Sequence, residues 1–178
     1  MTTYTARGFS TFWDSSSNAE TLLRSDLELE VTASRGATFS FSVLNNDNGF
    51  QDVAIYTGAA QILVNGENID LLSAEASLTN MHWSQGVTGL LYLSIPQGED
   101  FVDYYFDIGG TTLPIPQSTS EYFGFADLIS GFSPVTVTLP ANVNHSWSVL
   151  DVESTENDRY LGTRGNDQIG RASCRERC

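Results

Sequence analysis

Gly162-Thr163-Arg164-Gly165-Asn166-Asp167-Gln168-Ile169 is the stretch whose residue types and spacing point most directly to chemistry. Glycines let a backbone turn tightly and present its carbonyl oxygens, and an aspartate adds a hard anionic oxygen, which is what a hard cation such as calcium takes as ligand. A second oxygen-rich stretch is Asn45-Asn46-Asp47-Asn48-Gly49-Phe50-Gln51-Asp52. There Asn45, Asp47 and Asp52 are candidate ligands of a second calcium loop, although the spacing lacks the closing glutamate of a helix-loop-helix calcium site. The alternative is a solvated turn built from Asn, Asp and Gly, residues that tolerate left-handed backbone.

The glycine-aspartate string resembles the opening turn of an RTX (hemolysin-type) calcium-binding repeat array, whose nonapeptide is G-G-x-G-x-D-x-U-x with U a large apolar residue. Thr163 stands where that pattern has its second glycine. The resemblance implies calcium at Gly162, Arg164, Gly165, Asn166 and Asp167. It also implies ions shared between successive turns, so that one turn supplies roughly half of each site. It further implies an extracellular, structural or adhesive protein that leaves the cell by type I secretion on an uncleaved C-terminal signal. Residues 162–168 are then the start of a truncated calcium-binding β-roll, and the natural protein is expected to be longer.

Beyond Asp167 the composition breaks, with Arg171, Arg175, Arg177, Cys174 and Cys178 crowded into the last residues. Ile169-Gly170-Arg171-Ala172-Ser173-Cys174-Arg175-Glu176-Arg177 resembles translated sequencing-adapter DNA, so 169–178 is expected to be an artefactual tail outside the folded body.

The whole chain has 8 Lys+Arg, all of them arginine, against 22 Asp+Glu, a net charge of −14. Such a balance opposes nucleic acid and anionic membrane surfaces and is compatible with cation binding. No apolar run is long enough to span a bilayer, and no Sec-type signal peptide is expected at the start.

The elements that must position any site are strands. Leu27, Leu29 and Val31 alternate with Glu28, Glu30 and Thr32, and Phe39, Phe41 and Val43 alternate with Ser40 and Ser42, which predicts two half-buried strands separated by a turn at Ser34-Arg35-Gly36. The apolar set should face inward, with Glu28 and Glu30 outside. Asn65-Gly66 predicts a type I′ hairpin. Further strands are expected at 52–56, 74–83, 89–95, 101–108, 135–139 and 146–152, with short helical turns at 19–24 and 121–129. Many short strands divided by turn residues predict an all-β fold, an antiparallel β-sandwich or jelly roll over residues 1–152, followed by an acidic linker at 153–161.

No H-E-x-x-H, G-x-S-x-G or phosphate-binding glycine loop occurs. His82 and His145 read as packing residues at strand ends. Trp13, Trp83 and Trp147, with Tyr92, Tyr104, Tyr105 and Tyr122, could form a sugar-stacking surface, for which Trp83 and Trp147 are the named ligand-stacking candidates, or simply a sandwich core. The run Glu99, Asp100, Asp103 and Asp107 reads as a strand edge. Two functions remain: a secreted calcium-binding structural or adhesive protein whose sandwich binds carbohydrate or a cell surface, or the N-terminal part of an exported hydrolase acting on polysaccharide or protein. A cleft with two carboxylates roughly 5–10 Å apart distinguishes the second.

Overall fold

The structure is a computed structural model, and it describes residues 1–69, 74–135 and 139–150. The linker 153–161, the repeat-like turn 162–168 and the tail 169–178 lie outside the described residues, as do 136–138 of the strand expected at 135–139. The elements in chain order are β1 (Thr2–Asp14), β2 (Ala19–Ala33), β3 (Thr38–Asp47), β4 (Phe50–Tyr56), β5 (Gln61–Val64), β6 (Glu67–Asn68), β7 (Glu75–Trp83), β8 (Gly86–Gln97), β9 (Asp100–Gly110), α1 (Thr119–Ala126), β10 (Ile129–Pro134) and β11 (His145–Ser146). No described helix is long and apolar enough to cross a membrane.

Among the described residues the strands join one antiparallel sheet in the order β11-β3-β4-β7-β8-β9-β1-β2-β5-β6, with β10 attached to β7. The sheet closes on itself into a sandwich. Phe39 and Phe41 from one end and Leu29, Val31 and Ile62 from the other share a single buried cluster with Leu78 and Leu91 of the middle strands. Alternation explains this core, because every second side chain of β2 and β3 points to the same face. The other face of the middle strands is also covered. Phe9, Met81, Trp83 and Leu90 pack there against Tyr122 and Phe125 of α1 and against Leu113.

The Asn65-Gly66 hairpin is present, with φ of 48° and 81° at its two central residues and Val64 opposite Glu67. β3 and β4 meet in a similar turn at Asn48 and Gly49, both at positive φ. Here glycine is required twice over. At φ +93° a Cβ on Gly49 would come within 2.2 Å of the Phe132 carbonyl oxygen, because β4 and β10 divide one edge of β7 and the turn sits at their seam. Thr79 Oγ1 bridges that seam, 2.8 Å from the Gly49 carbonyl and 3.1 Å from that of Ser133.

Several sequence expectations need correction. Residues 19–24 are not helical; they form the start of β2, because the β1–β2 hairpin extends to Asp14 opposite Ala19. Within the strand expected at 146–152, the described residues hold only the end of β11, His145–Ser146, followed by a 3-10 turn at Trp147–Leu150; 151–152 lie outside the described residues. β9 is not an edge: β8 and β1 flank it. Phe39 and Phe41 are buried as expected, but Val43 is 37% exposed, where β3 runs out toward its turn and its pairing with β4 slips between Val43 and Asn45. Phe41, at 0% exposure, should therefore cost about 3–5 kcal/mol when replaced by alanine. Val43→Ala should cost about 1 kcal/mol or less. Urea denaturation of the two variants checks the contrast, and equal losses would contradict the placement of Val43.

Candidate functional site

The pairing register assembles a polar and aromatic surface that no local stretch of sequence contains. Trp13 of β1 lies opposite Glu20 of β2 and opposite Phe101 of β9, which in turn lies opposite Pro96 of β8. One step along the strands, Thr11 is flanked by Leu22 and Asp103, with Ser94 beyond Asp103. The next step carries Phe9, Tyr105 and Tyr92. Directly paired residues share a face, so these three rows form one patch, on the side of the sheet that carries α1. Phe101 is 37% exposed and Trp13 is half-buried, so two rings reach solvent beside Glu20 and Asp103, both of them part-buried.

Helix α1 shapes one wall of the patch. Ser118 caps its first turn by accepting from the Glu121 N–H, which satisfies one of the free helical donors. Thr119 Oγ1 then accepts from the Leu22 N–H at 3.1 Å, tying the helix start to β2. This places Tyr122, whose hydroxyl donates to Glu20 Oε1 at 2.8 Å. The same oxygen accepts from Thr11 Oγ1 at 2.8 Å and lies 3.4 Å from the Tyr105 hydroxyl. Phe9 stacks on Tyr105 with ring centroids 4.8 Å apart, which fixes the tyrosine from below. At the β1–β2 hairpin end, Asp14 takes hydrogen bonds from Ser16 and Ser17, which hold its carboxyl down at about 2. Asp100 accepts from both the Ser15 N–H and its hydroxyl, pinning that hairpin to the β8–β9 turn.

Asp103 is the unusual member. Burial pushes its carboxyl above the ordinary carboxylate range, hydrogen bonds from Ser94 and Tyr92 pull it back, and the charge of Glu20 pushes it up again. Its Oδ1 is buried and takes no hydrogen bond from the described residues. Burial also raises the tyrosine hydroxyls Tyr92, Tyr105 and Tyr122, so all three stay protonated donors at neutral pH. The patch thus offers carboxylate acceptors, hydroxyl groups and ring faces, with no cation in its three rows. It suits a neutral ligand rich in hydroxyl groups rather than an anion.

A pH test follows from Asp103. The folded state holds its proton more tightly than an unfolded chain, so stability falls as pH rises from the ordinary carboxylate range through the raised value. Asp103→Asn removes the titration and should flatten that part of the curve. Urea midpoints measured for both proteins at pH 4 and pH 7 check it, and an unchanged drop in the variant would assign the pH dependence elsewhere.

The residues singled out from sequence fall elsewhere. Gly162, Arg164, Gly165, Asn166 and Asp167 lie outside the described residues. Asn45 pairs with Asp52 across β3 and β4, and Asp47 with Phe50. Their oxygens are partly committed: Asp52 Oδ1 accepts from Ser77 Oγ at 2.8 Å and Asp47 Oδ1 from Asn48 Nδ2 at 2.9 Å, while Asn46 Oδ1 accepts from the Gly49 N–H. Among the described residues no group of three or more His, Cys, Asp or Glu side chains could hold a metal ion.

Trp83 and Trp147 do not present a stacking face. They are 7% and 2% exposed, Trp83 donating to Thr88 Oγ1 and meeting Phe125 edge-on, Trp147 packed 4.5 Å from Phe39. Their large apolar surfaces are used in the two cores. His82 bonds Ser133 Oγ, and His145 donates to the Pro140 carbonyl while packing against Phe39 and Phe41. Glu20, Phe101 and Asp103 went unrecognised in the sequence as site residues. The available signal was the alternation Phe101, Asp103, Tyr105, which places all three on one face.

Comparison with protein-family models, with curated proteins and with solved structures yields no match to this chain.

Proposed function

We propose that the sandwich is a glycan-binding module of an exported adhesive protein, continued by a calcium-binding repeat region that begins at Gly162. The observation that supports it is the patch in which Trp13 and Phe101 reach solvent beside Glu20 and Asp103, with tyrosine hydroxyls behind them. Sugars combine a face of C–H groups with a rim of hydroxyls. Rings take the first and carboxylates accept from the second, and one Asp103 oxygen stands without a partner among the described residues. The calcium part rests on the spacing of Gly162, Gly165 and Asp167, and export rests on the RTX resemblance alone.

A second reading is favoured by one feature: a carboxyl raised by burial beside a second carboxylate is the pairing that glycoside hydrolases use as general acid and nucleophile or base. The experiment offers the chain soluble neutral polysaccharides, for instance xylan, β-glucan and starch, in affinity gels and in parallel assays for new reducing ends. Retention without reducing ends is the expected result. Reducing ends lost in both Glu20→Gln and Asp103→Asn would make the protein a hydrolase. Neither retention nor hydrolysis would overturn both readings.

A further inference from the structure

The opposite face of the same strands holds a cavity that the glycan reading does not use. Ser10 and Tyr104, which lie opposite each other in the β1–β9 pairing, alternate with Thr11 and Asp103 and so point away from Trp13 and Phe101. They open into a space of about 370 Å³ under the β5–β6 hairpin. Leu27, Val64, Ile95 and Val102 form apolar walls. At the rim Arg24 and Glu67 contribute one charge of each sign, and Leu23, 49% exposed, adds an apolar lip.

Ser10 distinguishes this space from a packing defect. Its hydroxyl is buried and has no hydrogen-bond partner among the described residues, a state that costs free energy unless something in the cavity completes it. A ligand that fits must therefore carry an apolar body with one hydroxyl or carbonyl group at its buried end. The rim charges offset each other, and the chain as a whole is strongly acidic, so an anionic head gains little and is repelled at long range. A space at the lower end of ligand-pocket volumes admits on the order of ten to fifteen non-hydrogen atoms.

We propose that this cavity is a second binding site, for a small neutral amphiphile such as an aliphatic alcohol, with Ser10 as the buried hydrogen-bond partner. The test titrates 1-octanol, octanoate and xenon into the full chain and follows amide resonances. Octanol should shift the signals of Ser10, Leu27, Val64 and Val102 in a saturable way and leave Trp13 and Phe101 unmoved. Octanoate should bind more weakly. Removing an unsatisfied hydroxyl leaves folding intact or improved, so Ser10→Ala is a usable variant. It should weaken octanol about fivefold, the worth of one hydrogen bond, without changing the xenon response. Equal octanol binding by Ser10→Ala, octanoate binding as tight as octanol, or shifts confined to the Trp13 face would overturn the proposal. None of these outcomes depends on whether the other face binds glycan.

Discussion

Trp13→Ala will remove most of the retention of this chain by a neutral polysaccharide, a loss on the order of thirtyfold, as expected for a central aromatic anchor worth about 2 kcal/mol. The reason lies in its place in the sheet. Trp13 is paired to Glu20 on one side and Phe101 on the other, so its ring lies between the carboxylate and the second exposed ring. Deleting it removes the surface on which the C–H face of a sugar would rest, while the buried ring below, Phe9, stays in place. Asp103→Asn tests the polar half. The amide can still bond Ser94 and Tyr92, but it cannot accept sugar hydroxyls as a carboxylate does, and retention should fall about tenfold, the worth of one charge-assisted hydrogen bond. Leu44→Ala, at a side chain exposed on β3, is the control and should bind as the parent. Affinity electrophoresis with thermal melting on each variant separates lost binding from lost fold. Full retention by Trp13→Ala at unchanged melting temperature would remove the patch from consideration.

This surface was only half legible in the sequence, for a physical reason. Alternation fixes which residues of one strand share a face, and Phe101, Asp103 and Tyr105 could be grouped that way. Which strands lie side by side is decided by long-range pairing, and the patch needs β1, β2, β8 and β9 together. β2 begins with Ala19, Glu20, Leu22 and Leu23, good helix formers whose preference is overridden by pairing to β1. β10 hid behind Gly131 and Pro134; β7 is its sole described partner, a position where a proline without an N–H is tolerated. The inward set of β3 was predicted correctly up to Phe41 and failed at Val43, because periodicity tells a face and not where the core stops. For tryptophan the sequence leaves a stacking platform and a sandwich core both open: Trp83 and Trp147 belong to the cores, the tryptophan that reaches solvent is Trp13, and only the tertiary structure separates them.

The largest change expected of this protein is in its response to calcium. With Asp167 as the only repeat carboxylate, the chain should bind calcium at Gly162–Asp167 no more tightly than the millimolar range, since extracellular sites with full ligand sets already lie near 10⁻⁴–10⁻³ M. Appending several G-G-x-G-x-D-x-U-x units after Asp167 lets successive turns share ions, so that each ion gains a complete shell and binding becomes linked to folding of the repeats. Affinity should rise by about a hundredfold or more, with a calcium-dependent gain of β signal in circular dichroism. Asp167→Ala in the extended protein should cost the first site and leave the later ones. Titration calorimetry on the short and extended chains, with and without that substitution, decides the matter. Tight binding by the short chain that survives Asp167→Ala would move the calcium to the β3–β4 turn, where Asp47 and Asp52 are the carboxylates and Asp47→Asn with Asp52→Asn should then abolish it. A short and an extended chain that bind equally weakly would dissolve the repeat reading altogether.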